Sequence, residues 1–500
     1  MDSWPLLATV VAVLYVVYGI VWRLYWSPIA KFPGPKLAAV TLWYEFYYDV
    51  LKNGRYMWEI ENMHEKYGPI VRINPYELHI NDPDYYDEVY AGGGKKRDKY
   101  SRFIRLYGAD KGTLVTLDHD LHRVRRSALN PFFSKANVRK LEPIIQRRAQ
   151  KVLFRMGNLE NTGQPLNIFY LFSAFTSDVI VEYAFGESHD YLDREDLNED
   201  FYHMMDSMHH MGAAAKQFSW LMPLLLSIPQ SITTRVDKGM AAFAALQNRC
   251  REKVRYIMDH MNDHEDKQIP TIFHDILLSK LPPAEKKLDR IYQEGQTLVA
   301  AGTETTAWTL SVIMFYLLKD PAKLQRLTNE LRKANATTST ELEQLPYLNG
   351  VVQEGLRLGF GVSHRLPRIA PDETLTLVDG EKTWLIPPGT PVSMSAGLLH
   401  QNPKIFPSPR EFRPERWINN PSLPRYLVSF SKGSRQCVGI NLAYSELYVC
   451  LNTIFSRYGS DGSAKIVLFE TDESDVELQH DLFAPYPKLD SKGIRVVFER

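Results

Sequence analysis

One decapeptide restricts this chain more than any other stretch: Phe430-Ser-Lys-Gly433-Ser-Arg435-Gln-Cys437-Val-Gly439, leading directly into the helical run Ile440 to Arg457. A cysteine that binds as a thiolate needs its negative charge stabilised without a proton. Backbone N–H groups of a tight loop and the start of a helix provide that. Glycines at 433 and 439 permit unusual dihedrals and let the backbone come close to a flat ligand. Arg435 can reach a carboxylate at that ligand's edge. An isolated cysteine at a helix start is usually an inert buried one, but five fixed residues in ten positions are not an isolated cysteine.

The rest of the composition narrows the class. The 500 residues carry 59 basic and 59 acidic side chains, so no net field attracts a polyanion and nucleic acid is not an expected partner. Hydrophobic residues at 44% and charged ones at 24% exclude a disordered or fibrous chain. Three cysteines, Cys250, Cys437 and Cys450, cannot build a disulfide framework and point to a reducing compartment. Cys250 sits among charged helical residues and Cys450 in an apolar helix, so both read as inert.

The N-terminus departs from this evenness. Leu6 to Trp22 contains no charge, and the apolar run from Trp4 to Trp26 approaches what crosses ~30 Å of hydrocarbon. Trp4, Tyr25 and Trp26 stand where interfacial aromatics belong, while Arg23, Lys31 and Lys36 all lie on the C-terminal side. The bias predicts residues 1–26 as a single-pass anchor with the bulk of the chain in the cytosol. A cleaved signal peptide is the competing reading, but no basic leader and no small-residue cleavage site occur. Residues 27–36, ending in Pro-Gly-Pro-Lys, read as a stiff hinge, and 37–500 as one domain.

Within that domain, 55–67 has helical periodicity and 69–80 reads as two short strands. Nearly everything from 118 to 320 reads as helix, broken at Pro131, Pro165, Pro223, Pro229 and around 264–270. The longest helical candidate is Ala284 to Lys319. Residues 374–395 switch to a strand pattern around Asp379-Gly380, and the last 35 or so look like short strands. The expected class is mainly α with small β-sheets. The apolar segment 217–230 is too short and Pro-broken to span a bilayer; it is either buried core or a loop dipping into a membrane at a substrate entrance.

Four further motifs follow a fixed order. Asp118-His-Asp-Leu-His122-Arg-Val-Arg-Arg126 opens a helix. Ala301-Gly302-Thr303-Glu304-Thr305-Thr306 puts a glycine and β-branched residues in mid-helix, against local propensity by about 1 kcal/mol for the glycine alone. Such a violation marks either a close helix contact or a helix opened for a ligand. Ala301 and Thr305 share a face, with Glu304 turned away by about 100°. Glu354-Gly-Leu-Arg357 pairs opposite charges on one helix face, and Phe412-Arg-Pro-Glu-Arg416-Trp417 follows it. No zinc helix, nucleophile elbow or phosphate loop is present; Gly92-Gly-Gly-Lys-Lys-Arg has the wrong spacing.

With these motifs in place, the decapeptide resembles the heme-binding loop of the cytochrome P-450 family, F-x-x-G-x-R-x-C-x-G. The resemblance runs from the Pro-Gly-Pro segment to the terminal strands. It implies that Cys437 is the proximal thiolate ligand of the iron of heme b, with Phe430 packed beside the sulfur and Gly439 and Ala301 at the heme. A thiolate there favours O–O cleavage over oxygen carriage. It implies an acid–alcohol pair, Thr305 hydrogen-bonding the oxygen and Glu304 relaying protons through water. Glu354, Arg357 and Arg416 become a buried ion network that fixes the chain near the cysteine loop. Arg126, Arg435 and Arg368, the last in Arg365-Leu-Pro-Arg368, become candidates for the heme propionates. His122 replaces the tryptophan common at its position and could instead belong to a basic surface cluster. Arg123 and Arg125 fall on other faces and could meet an acidic redox partner.

The implied activity is monooxygenation of a hydrophobic small molecule, similar in flavour to fungal enzymes of terpenoid or other secondary metabolism. Electrons would come from NADPH through a separate flavoprotein reductase, since no nucleotide or flavin fingerprint is visible. The implied setting is a monomer in the endoplasmic reticulum membrane, taking its substrate from lipid. Contacts to that substrate are expected from residues 100–117, 205–230, 361–366 and 482–484. An O2-independent isomerase or dehydratase of the same family, and a non-catalytic membrane heme protein, are the rival readings.

Overall fold

A computed structural model describes residues 3–229, 237–261, 271–459 and 464–499, together with Ile232 and Arg235. The expected break at 264–270 and the first two residues of the expected anchor lie outside the described residues. The longer helices are α1 (Ser3–Val21), α2 (Tyr56–Tyr67), α3 (His119–Leu129), α4 (Lys135–Asn158), α5 (Ile168–Phe185) and α6 (Glu199–Gln217). Then come α7 (Lys238–Asp259), α8 (Leu288–Lys319), α9 (Pro321–Ala334), α10 (Pro346–Gly359) and α11 (Ile440–Arg457).

Helix α8 organises the molecule. Its 32 residues, about 48 Å at 1.5 Å per residue, run through the core, packed along α5 and against α7, α10 and α11. It starts four residues later than periodicity suggests. Pro283–Lys286 forms a tight 3-10 turn, and Lys287 is extended before the helix begins. Gly302 explains part of the mid-helix violation: a Cβ there would meet Ile180 Cγ1 of α5 at 3.1 Å, so the small residue allows the two helices to touch. Thr176 of α5 donates from its hydroxyl to the Thr303 carbonyl at 2.9 Å across the same contact.

Prolines 131, 165 and 229 fall between helices, whereas Pro223 does not break one. It is the third residue of the helix Leu221–Ser227, where the N–H that proline lacks would have no intrahelical partner. That segment is neither wholly buried nor wholly free. Met222 packs into the core, while Trp220 and Leu224 are exposed. Phe218 joins Trp220, Trp43 and Phe46 in an aromatic cluster with ring separations of 5.0–6.0 Å.

The strands are short and gathered into four sheets. β1 (Ile70–Arg72), β2 (Leu78–Ile80), β3 (Asp98–Lys99), β5 (Arg368–Ile369) and β8 (Pro391–Ser393) form a five-stranded sheet in the order β1-β2-β8-β5-β3. Only β2 and β8 pair in parallel there, with Leu78 opposite Val392. β4 (Leu166–Asn167), β12 (Arg495–Glu499) and β9 (Lys465–Leu468) form a second sheet; β6 (Leu375–Asp379) pairs with β7 (Lys382–Ile386), and β10 (His480–Leu482) with β11 (Ala484–Tyr486). A large helical core and a smaller one under the five-stranded sheet share the interior.

At the N-terminus, the 23 residues Trp4–Trp26 form helix that is long and apolar enough to cross a membrane, with none of it buried in the protein. The helices Ile168–Phe185 and Leu288–Lys319 are also apolar, but 89% and 67% of their most apolar windows are buried, which makes them core. The Pro-rich segment that follows the N-terminal helix is fastened to the rest of the chain. The Arg72 N–H donates to the Pro33 carbonyl at 2.7 Å, and the Phe32 ring stacks on Trp384 at 5.3 Å.

Candidate active site

The cysteine loop lies between β1–β3 territory and the head of α11. Its backbone folds on itself: the Cys437 N–H donates to the Phe430 carbonyl at 2.9 Å, and Gln436 N–H to Gly433 O at 3.1 Å. Gly433 has φ +71, and a Cβ there would collide with the Tyr90 and Ala91 carbonyls at 2.2 Å, so glycine is required. Gly439 needs no such freedom, having φ −82; its N–H hydrogen-bonds the Cys437 sulfur. The Phe430 ring packs on Tyr444 of α11 at 5.4 Å.

Cys437 keeps exposed surface, while protein atoms crowd closely around its sulfur. Burial pushes its thiol up, and the Gly439 N–H and the Arg126 charge pull it only part of the way back. A metal cation coordinated there would deprotonate the thiol outright. Cys250 and Cys450 are buried thiols pushed up by burial, Cys250 to about 12, and are inert.

Around this sulfur the fold collects positive charge. Arg126 on α3, Arg368 on β5 and Arg435 in the loop all lie within electrostatic reach of Lys99 on β3; Arg368 also reaches Arg435, and Arg126 reaches the sulfur. Burial and the three arginines together push the Lys99 ammonium well below its ordinary value. His122, 3% exposed, is pushed to about 2 by burial and by Arg435, Lys99, Arg126 and His119, so it is neutral and does not belong to a basic surface. Its Nδ1 is buried without a hydrogen-bond partner among the described residues. Arg435 donates to the carbonyls of Arg97, Thr116 and Leu117 at 3.3, 2.5 and 2.6 Å, and burial and Arg368 lower it to about 9. Arg126 donates to Asn130 Oδ1 at 2.7 Å; Arg368 donates to the Leu366 and Pro367 carbonyls and lies over the Tyr90 ring. Buried like charges at this density need anions. A flat group carrying two carboxylates and a thiolate-seeking iron fits this donor set.

Arg125, by contrast, is not available to a redox partner. Its guanidinium grips Glu285 at 2.7 Å and Thr116 Oγ1 at 2.8 Å, in a cluster completed by Arg290 and Glu294. Arg123 remains exposed.

On α8, Ala301 is exposed in the middle of an otherwise buried helix, and Thr305 one turn on donates from Oγ1 to the Ala301 carbonyl at 2.9 Å. The Glu304 carboxylate, on another face, has Oε1 3.5 Å from Nε2 of His209 on α6. Sequence reasoning missed Glu446 of α11, a lone acid in an apolar run. Burial raises its pKa well above the ordinary carboxyl range, and it hydrogen-bonds Thr306. The group is protonated at neutral pH in the folded state and ionised in the unfolded one, so stability falls as pH rises above the ordinary carboxyl range. E446Q should therefore melt like the parent at pH 4 and above it at pH 8; an equal difference at both values contradicts this.

Helix α10 buttresses the loop. Glu354 and Arg357, both fully buried, form a two-bonded pair at 2.8 and 2.7 Å. Glu354 also accepts from Arg416 Nε at 3.0 Å, Trp417 Nε1 at 2.8 Å and the Arg413 N–H at 2.9 Å. Arg357 donates onward to the carbonyls of His400, Pro409 and Glu411. His400, unnoticed in the sequence, carries the connection to the loop. Burial and Arg357 depress it to about 3, so the ring is neutral. Because Nε2 accepts from the Val428 N–H at 2.9 Å, the proton sits on Nδ1 and is donated to the Arg357 carbonyl at 3.0 Å.

The four segments expected to meet a substrate converge. Phe103 stacks on His364 at 5.7 Å and faces Phe483 at 6.3 Å. One small cavity is lined by Met208, His209, His364 and Phe483, and also by Asp49, Lys216 and Asp481. This wall is less apolar than composition suggests. Lys216 pairs with Glu45 and Asp49, and His364 with Asp481, all inside the protein.

Fold, thiol, carboxylate-seeking cluster and buttress together define a heme-thiolate protein, and the chain belongs to the cytochrome P450 family, whose model matches residues 33–464. It is a heme-iron oxidoreductase of the monooxygenase type. Among its relatives, cytochrome P450 monooxygenase tpcC of Cochliobolus heterostrophus is 46% identical over 97% of this chain and 95% of its own length. Cytochrome P450 monooxygenase MO6277 of Ascocoryne sarcoides is 42% identical over 97% of each chain. Tryptophan 6-hydroxylase fscE of Fusarium equiseti is 41% identical over 96% of this chain and 94% of its own.

Proposed function

We propose that this chain inserts one oxygen atom from O2 into a hydrophobic secondary metabolite, a terpenoid or related skeleton, and that NADPH supplies two electrons through a separate flavoprotein reductase. The observation that supports this reading is the buried cluster of Lys99, His122, Arg126, Arg368 and Arg435, which reaches Cys437 through Arg126 and suits a group that carries carboxylates beside an iron. Heme b, when bound, supplies the redox chemistry that activates oxygen. Cys437 would hold its iron, and Arg126, Arg368 and Arg435, with the buried His122 and Lys99 beside them, its propionates. Phe430 and Gly439 hold the sulfur's surroundings, and Ala301 leaves room on the opposite wall. Glu354, Arg357 and Arg416 keep the loop in place.

Thr305 and Glu304 then manage protons. The Thr305 hydroxyl is positioned by the Ala301 carbonyl and can turn to donate; the Glu304 carboxylate replaces that proton through water. T305A should release peroxide at the expense of product, lowering product per NADPH by about tenfold or more. Unchanged product per NADPH would remove the pair from proton delivery. Residues 1–26 would anchor the chain in the endoplasmic reticulum membrane with 37–500 in the cytosol as a monomer. The exposed Trp220, Leu224 and Trp43 favour a second contact with lipid near the substrate entrance. The assignment is tested by incubating microsomes containing the protein with a terpenoid and aromatic library, with products read by mass spectrometry. Oxygenated product that requires both O2 and NADPH is expected; turnover that persists without O2 contradicts it.

A further inference from the structure

His209 stands out among the buried polar groups. It lies on α6, 6% exposed, and neither ring nitrogen has a hydrogen-bond partner among the described residues. Nothing in the metal- or propionate-binding set explains it. Its ring is held edge-on to Tyr486 at 6.0 Å and tilted against Phe483 at 6.4 Å. Nε2 points at Glu304 Oε1 from 3.5 Å, outside a good hydrogen bond and inside ion-pair range. A shift of about half an ångström closes it, and contacts of this kind are commonly long before the substrate and cofactor are in place. The same ring lines the cavity that contains Asp49, Lys216, His364 and Asp481. One imidazole thus stands between the acid of α8 and a buried, ionisable cavity next to the expected substrate space.

We propose that His209 is a positioning residue for Glu304: it fixes the carboxylate from α6, so that the helix beside the substrate controls whether the acid of α8 can pass a proton to Thr305. The inference rests on the proton role proposed for Glu304 and Thr305. An imidazole that donates to one carboxylate oxygen limits the rotamers of that side chain. Movement of α6 as substrate enters would then draw Glu304 toward or away from its delivery position. An amide at 209 retains one donor and should keep part of the effect; an aliphatic side chain should not.

The test uses the reductase-reconstituted holoenzyme and reads peroxide released per NADPH consumed, alongside a melting cycle. H209L should raise peroxide per NADPH at least about twofold, H209Q by less, and H209L/E304Q no more than E304Q alone. H209L should lower the melting temperature by about 2 °C with Glu304 present and by much less in the E304Q background. Additive melting shifts, or peroxide at the parent level in H209L while E304Q and T305A raise it, overturn the inference. If E304Q and T305A leave peroxide unchanged, the proton reading falls, while the melting cycle still reports separately whether His209 and Glu304 interact.

Discussion

Arg357→Ala yields a chain that fails to retain heme and melts far below the parent. The guanidinium, itself fully buried, makes two bonds to Glu354 and three to the carbonyls of His400, Pro409 and Glu411. Removing it leaves the Glu354 charge to Arg416, Trp417 and the Arg413 N–H and orphans those carbonyls, a loss of about 3–5 kcal/mol. Against a total stability of about 5–15 kcal/mol, that is a large fraction. The damage falls where heme is held, because His400 connects the Arg357 carbonyl to Val428, nine residues before the cysteine. Arg357→Lys should rescue little, since one ammonium cannot reproduce a five-donor fork. The ratio of porphyrin to protein absorbance after purification, with thermal melting, measures both effects. A variant with full heme content and parental melting would show that the network is dispensable.

The second large effect is Cys437→Ala. On the proposed assignment, loss of the sulfur spares the basic cluster but removes the anionic ligand, so any porphyrin that stays bound should lack the red-shifted carbon monoxide band that thiolate ligation gives. Monooxygenase turnover should fall below detection while far-UV circular dichroism stays parental. Cys250→Ala and Cys450→Ala remove thiols that burial keeps protonated, and both should leave the band intact. Retention of the band in Cys437→Ala would place the ligand elsewhere.

How much of this was legible in the chain depended on whether spacing or folding brought the groups together. The decapeptide, the Glu354–Arg357 pair and the Ala301–Thr305 face are local, so their chemistry can be read along the sequence. Lys99 could not be read that way. It sits in a charge run that looks solvated, and only strand β3 turns Arg97 and Lys99 inward while Lys95 and Lys96 face water. A period of two within that run was the available signal. His400 and His209 are single histidines whose polar partners lie 28 or more residues away, so no spacing announces them. Arg125 and Arg126 are adjacent, and only the packing of α3 against Glu285 separates a structural arginine from one near the sulfur. Gly302 and Gly439 illustrate the limit of residue type: the first is small because of Ile180, the second has an ordinary backbone angle. The N-terminal helix was legible in full, because a run of apolar residues without charge needs no partner to declare itself.

The central claim is that Cys437 ligates the heme iron, and X-ray absorption at the iron edge of the purified native protein tests it most directly. One sulfur scatterer in the first shell, lost in Cys437→Ala, is the predicted result. A first shell of nitrogen and oxygen alone in the native protein would contradict it.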